Sequence, residues 1–241
     1  MKQLHLLMLL AAACTLGQVA QAQNQRAVYL GSAGSYAVLA GTTVTNTGLT
    51  IVNGNLGLWP GTAVTGFGPG KVNGRLDAGN VAAQHAQASL NIAYNDAAAR
   101  TSVSTHALAG DMTGLTLTPG LYKSTSTLSL AGTLTLSGKG VYIFQIASGL
   151  TVGTGGGIIL SGGANAADVY WQVGSSATLG TTSTFKGTIL ALTSISLATG
   201  GVLDGRALAQ HGAVTMDTNN VNVPLGNTIL VVLPPADPVR D

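Results

Sequence analysis

The sequence predicts a mostly-β chain, a three-sided β-solenoid with one long α-helix packed alongside. Three observations predict it. Residues 141–218 repeat a unit of three short β-prone runs about every 18 to 27 residues, near the period at which self-similarity signals a solenoid. One stretch only, residues 77–100, is Ala-rich, free of Pro and spaced as a helix. The composition, with 34 Gly, 46% hydrophobic and 7% charged residues, suits a packed core with tight turns and is far from that of a disordered chain.

Taken in order, the chain begins with Lys2, a short apolar run (LHLLMLLAAA) and Ala20-Gln21-Ala22. A basic start, a short apolar core and a small-x-small site read as a secretory signal over residues 1–22, with the mature chain starting near Gln23. The run is too short for a membrane span. The single cysteine, Cys14, falls inside this leader, so no disulfide is expected in the mature chain. The string Ala11-Ala12-Ala13-Cys14 is a weak lipobox without the usual Leu. Residues 23–224 form the predicted solenoid domain. Residues 27–58 alternate β-branched and small residues and turn at Asn53-Gly54. Residues 61–75 read as another coil with a Gly/Pro turn. A helix of about five turns follows, over about residues 78–99, capped by Asp77 or Asn80. Its apolar sets are Val81, His85, Ala88, Ile92 and Ala83, Leu90, Tyr94, Ala97. Strand and turn resume from Gly110 to Pro224. Residues 225–241 hold one apolar run, Ile229–Leu233, read as a last strand, and then a Pro-rich tail.

The repeat aligns as YIFQIA, VYWQVG, TILALT and RALAQH for first segments, and GLTVGT, ATLGT, SISLAT and AVTMDT for second segments. A partial earlier unit covers residues 121–138. In the second segments the middle residue is Ser129, Thr151, Thr178, Ser196 and Thr215, each flanked by apolar residues. Period-2 alternation points the flanks inward and the hydroxyls outward. Stacked coils then place the hydroxyls in a straight file. Two residues on come Gly153, Gly180, Ala198 and Asp217; three residues on come Thr154, Thr181, Thr199 and Thr218. This last set faces out only if the strand ends and the coil turns its corner there. Thr45, Thr65 and Thr116 are candidates to extend the first file. The third segments carry Lys186 and Asp204 and the first segments Lys123 and Arg206, so the uncharged hydroxyl face belongs to one side. Outward Thr is also ordinary on an exposed strand. What favours function is five aligned units without Lys or Arg. A flat, repeating array of methyl and hydroxyl groups suits a solid, ordered ligand such as ice.

At these residues the sequence resembles the ice-binding family known as DUF3494. The resemblance rests on LGSAGSYAVLAGTTVTNTG (30–48), GDMTGLTLTPGLYKS (110–124), VYIFQIASGLTV (141–152) and residues 159–217, and spans about residues 27–224. It implies a discontinuous right-handed β-solenoid of triangular section with one long helix alongside. It implies binding to ice through one flat face, with freezing-point depression and inhibited recrystallisation; with the leader at residues 1–22, a secreted, extracellular protein is expected. A family motif, Thr-Ala/Gly-x-Thr/Asn, matches Thr47-Gly48-Leu49-Thr50, Thr62-Ala63-Val64-Thr65 and Thr113-Gly114-Leu115-Thr116. Many relatives carry a cap inserted before the helix. The stretch 66–79 is short here, which puts such a cap in question.

Other functions fit less well. A polysaccharide lyase needs clustered carboxylates, often with calcium. The eight acidic residues are all Asp and scattered singly. His85, His106 and His211 are isolated, and Thr154-Gly155-Gly156-Gly157 lacks the Lys-Ser/Thr and helix of a phosphate loop. No enzyme activity and no cofactor or metal is expected. A formal net charge of +2 gives nucleic acid no basic patch to bind. The alternative is an extracellular adhesin or polysaccharide-binding module, which would show exposed aromatics. Trp171 aligns with Phe144, Leu190 and Leu208 and reads as core. Trp59, before Pro60 at a turn, is a candidate sugar platform. Ice is the expected partner, with the chain acting as a monomer.

Overall fold

The computed structural model describes residues 25–224; the expected leader and the strand and tail at 225–241 lie outside the described residues. Within them, all strand pairing is parallel, as a solenoid requires. Each coil contributes a strand to three sides. The first side runs under the helix α1 (Val81–Ala99). The second side is a separate eight-stranded sheet, and the third merges with the first into a fifteen-stranded sheet.

The merger has a local cause. Strands Thr184–Ala191 and Val202–Ala209 each continue around the corner between third and first sides without a break. Gly187, at φ 107°, makes that bend. Gly205 stacks upon it so tightly that a Cβ there would sit 1.8 Å from the Gly187 carbonyl oxygen.

The coils do not follow chain order. The strands at 36–53 stack on the last coil: Val38 pairs with Ala207, Val44 with Val214 and Val52 with Val221. The next coil (55–78) continues outward from them. α1 then returns the chain along the first side to the far end, where residues 106–117 begin the run of coils back. This is the expected discontinuous solenoid. Residues 66–79 build two short strands of the end coil, Lys71–Val72 and Leu76–Ala78, in place of a cap.

The interior is an apolar column. Phe144 and Trp171 stack with ring centroids 3.8 Å apart, extended by Tyr122 on one side and Phe185 on the other. Trp171 is fully buried, and its indole N–H donates to the Lys186 carbonyl at 2.9 Å. Its rung is set differently from the sequence alignment: Trp171 pairs with Phe144 and Ile189, while Leu190 pairs with Gln172. A one-residue slip reverses the facing of a strand residue. Leu190 and Leu208 therefore point out of the column, into a second core beneath α1 with Leu39, Leu121, Ile143 and Tyr170.

The helix face that meets this core is Ala83, Ala86, Leu90, Ala93, Tyr94 and Ala97. Small Ala side chains let the helix lie close to the sheet. Val81, His85, Ala88 and Ile92 form the exposed face. Asn80 is the N-cap, accepting the Ala83 N–H at 2.9 Å. Asp77 instead accepts the Tyr36 hydroxyl at 2.7 Å and the Asn80 amide at 2.9 Å. At the other end the Gln145 amide donates to the carbonyls of Ala97, Ala98 and Arg100, satisfying acceptors that a helix terminus leaves open.

Candidate functional site

The central strands of the second side, Leu128–Leu130, Leu150–Val152, Ala177–Leu179 and Ile195–Leu197, are three residues long, with the outer residues buried and the middle residue not. Leu150–Val152 and Ala177–Leu179 show this alternation most simply. Leu or its equivalents at both flanks drive it: burying each is worth about 1.5–3 kcal/mol, so the middle side chain is turned out. Pairing then fixes the file. Ser129 pairs with Thr151, Thr151 with Thr178, Thr178 with Ser196, Ser196 with Thr215, Thr215 with Thr45 and Thr45 with Thr65. Thr45, Thr65, Thr151, Thr178 and Thr215 are exposed; Ser129 and Ser196 are partly so. The hydroxyls of Ser129, Thr151, Thr178, Ser196 and Thr215 make no side-chain hydrogen bond within the described residues, while Thr65 and Thr45 bond one another at 3.4 Å.

Thr116 does not join this file. It lies on the third side, where Thr116–Leu117 pairs with Thr135 and Leu136. Asp111 holds the terminal rung instead, paired with Ser129. The sequence register missed this because the first returning coil is irregular. The Asp111 carboxylate there accepts the Ala131 N–H, the Thr113 hydroxyl and the Thr113 N–H. Those bonds, the Ala131 one foremost, hold it below the usual carboxylate range.

The second file depends on the corner that follows. Gly155, Thr182, Gly200, Thr218 and Gly48 all take positive φ, from 53° to 72°. They stack: Gly155 N–H donates to Thr181, Thr182 to Thr199, Gly200 to Asp217 and Thr218 to Thr47. The coil turns there, and the preceding residues Thr154, Thr181 and Thr199 are exposed or partly exposed. Thr218 does not belong with them. The segment from Val214 to the corner is one residue shorter than that from Ile195, so Thr218 occupies the left-handed corner itself. Asp217 takes the place beside Thr199 and pairs with Thr47 on its other side. It accepts hydrogen bonds from both Thr199 and Thr218 hydroxyls. Thr47, exposed at the end of its strand, extends this file; the sequence marked it only as part of the family motif, not as a member of either file. Its motif partner Thr50 is fully buried, with its hydroxyl oxygen accepting the Asn219 N–H at 3.0 Å.

The small residues between the files have a structural reason of their own. A Cβ on Gly180 would lie 2.6 Å from the Gly153 carbonyl carbon. Coil-on-coil packing therefore demands glycine there, whatever the face contacts.

The remaining sides differ. The first is covered by α1. The third is uncovered, with Thr116, Thr135 and the exposed Ile159 in one file at its far end. On the third, a chain of side-chain hydrogen bonds runs from Lys186 to Asp204, Asn222, Asn53 and Asn73. Burial works against the Asp204 carboxylate, but the Lys186 and Asn222 bonds hold it below its ordinary range. These polar groups satisfy one another, unlike the open hydroxyls of the second side. Among the described residues, no three His, Cys, Asp or Glu side chains are grouped to hold a metal ion, and no helix is long and apolar enough to cross a membrane.

Residues 38–222 match the family described as ice-binding-like. The chain belongs to that family. Among its relatives, an ice-binding protein from Nostoc sp. (strain HG1) is 47% identical over 199 residues, covering 80% of this chain and 73% of that protein. One from Flavobacterium frigoris (strain PS1) is 38% identical over 213 residues, covering 82% and 76%. The crystal structure of an ice-binding protein from an Antarctic biological consortium superposes with a TM-score of 0.84 at 50% identity, covering 85% of this chain and 95% of that one. The DUF3494 domain of Shewanella frigidimarina ice-binding protein 1 superposes with a TM-score of 0.78 at 30% identity, covering 84% and 100%. The β-helix with one helix alongside is thus the fold this ice-binding-like chain shares with solved relatives.

Proposed function

We propose that the chain is a secreted, monomeric protein that adsorbs to ice through its second side, and so depresses the freezing point and inhibits recrystallisation. Residues 23–224 are its functional unit, and it acts by adsorption without catalysis. The observation that carries the assignment of the face is the file of outward hydroxyls from Ser129 to Thr65, left uncovered by the helix, in which those of Ser129, Thr151, Thr178, Ser196 and Thr215 make no side-chain hydrogen bond within the described residues.

The physical account is collective. Rungs about 4.8 Å apart give the seven-hydroxyl file a length of about 29 Å on a rigid sheet. Thr methyls favour leaving bulk water, and each hydroxyl can hold an ordered water at little entropic cost. No contact is strong alone. The sheet is ordered before binding, so little conformational freedom is lost on contact. Thr154, Thr181, Thr199 and Thr47 add a parallel file along the corner, broken by the Asp217 carboxylate.

The test is direct: purified protein is added to a single ice crystal held just below its melting point, and growth and shape are followed. Faceting and a gap between melting and growth temperatures support the reading. Unaltered circular growth at millimolar protein overturns it.

A further inference from the structure

A groove of about 410 Å³ opens between α1 and the corner leading from the first side to the second, lined by Trp59, Pro60, Gln87, Ala88, Asn91, Gln210 and His211. Three elements build it. Trp59 and Pro60 turn the chain after the strand Asn55–Leu58, with the Trp59 N–H fixed on the Ala40 carbonyl at 3.0 Å. α1 supplies Gln87, Ala88 and Asn91. The end of the strand Val202–Ala209 leads into Gln210 and His211. The Gln87 amide donates to the Ala209 carbonyl at 3.1 Å and ties helix to coil at the groove wall.

We propose that this groove binds a neutral sugar unit. Four features define the ligand. The lining holds no Asp, Lys or Arg, and the His211 imidazole is its single ionisable side chain, so no permanent charge answers a charged ligand. Trp59, partly exposed, and the exposed Pro60 present flat apolar surface, suited to the C–H face of a pyranose. Neutral amides stand around it. Gln210 is only 7% exposed, and its Nε2 is buried without a hydrogen-bond partner, an arrangement costly in a protein interior that a sugar hydroxyl relieves once the side-chain amide turns towards the groove. Asn91 is exposed and its carbonyl oxygen accepts from Asn95, leaving its own NH2 group for a hydroxyl. An apolar platform with a few convergent polar groups, in a space within the usual range for small-ligand sites, describes a saccharide better than a lipid or an ion. The proposal stands apart from the ice-face reading and shares no residue with it.

The test uses saturation-transfer NMR and calorimetry on the folded chain at room temperature. The probes are maltose, cellobiose and chitobiose, their hexasaccharides, and glucuronate as a charged control. We expect saturable binding of at least one neutral probe with Kd of the order of 1 mM. Preference for a hexasaccharide assigns the unit to a polymer, and equal affinity assigns it to a free sugar. Trp59→Ala and Gln210→Leu, each checked for an unchanged melt, should weaken that binding at least about tenfold while ice shaping is kept. No saturable binding by any neutral probe to about 50 mM, glucuronate binding more tightly than the neutral probes, or binding unchanged in a folded Trp59→Ala variant would overturn the proposal.

Discussion

Thr178→Tyr is the sharpest probe of the face. Thr178 pairs with Thr151 on one side and Ser196 on the other, at the middle of the file. A tyrosine ring there stands above the plane of the hydroxyls and keeps the adjoining rungs from a flat solid. Three of the seven hydroxyl rungs, those of Thr151, Thr178 and Ser196, lose contact. If each of the two threonine methyls contributes about 0.8 kcal/mol, the loss is roughly 1.6 kcal/mol, or about fifteenfold in adsorption. Thermal hysteresis at fixed concentration should fall below half. The fold should be spared, because Tyr suits an exposed strand and exposed substitutions commonly stay within about 0.5 kcal/mol. Thr178→Val, which keeps the branched shape and removes only the hydroxyl, separates methyl from hydroxyl contributions. Lys186→Tyr on the third side serves as the placement control and should leave hysteresis nearly unchanged. A folded Thr178→Tyr variant with full hysteresis refutes the assignment of the face.

Other substitutions probe neighbouring features. Asp217→Thr removes the charge that interrupts the corner file and frees the Thr199 and Thr218 hydroxyls it engages; hysteresis should rise, and a fall would mean the carboxylate itself helps hold the face. Thr182 has φ 55° at a corner where Gly155 and Gly200 take 70° and 72°. Relieving an L-residue of that conformation is worth about 1 kcal/mol, so Thr182→Gly should raise urea stability by that order, and a loss refutes the strain. The pair Tyr36–Asp77 should govern part of the pH dependence. Burial pushes Tyr36 up from 10.0 to about 12, reinforced by its bond to Asp77. Burial opposes the charge of Asp77, but the Asn80 and Tyr36 hydrogen bonds and the Arg75 charge hold it below 3.8. The Asp77 contribution is therefore present above pH 3.8 and lost as pH falls through its lower folded value; the Tyr36 contribution is present below pH 10.0 and lost as pH rises towards 12. Urea titrations across this range should show both limbs, and an Asp77→Asn variant that keeps the full acid limb would contradict this account.

What the sequence revealed tracks where local pattern is strict. Leu-x-Leu and its equivalents flank Ser129, Thr151, Thr178, Ser196 and Thr215, so alternation alone fixed which side they face. The helix was legible because Ala-rich spacing without Pro sets it apart, although the choice between Asp77 and Asn80 as cap needed coordinates, since Asp77 is drawn away by Tyr36. Errors fall where a coil departs from its neighbours by one residue. Leu190 and Leu208 were misassigned to the column because their strands run around a corner at Gly187 and Gly205 with no turn to mark the break. Thr218 was set beside Thr199 because nothing in AVTMDT shows that its segment reaches the corner a residue sooner. Thr116 was misplaced because the first returning coil lacks the Leu-x-Leu frame. Which coil the early strands stack upon is set by long-range pairing; discontinuity was expected only from the family resemblance.

That stacking has a kinetic side. Thr45 and Thr215 are adjacent rungs although nearly the whole described chain lies between them. The strands at 36–53 have their inner edge completed only by residues 207–222, the last coil to be made. During synthesis the opening segment must wait, an unmatched template, until the closing segment arrives like a keystone. Pairings this distant in sequence slow folding. A chain truncated before residue 202 would therefore strand its own beginning, and the loss would reach far beyond the missing length.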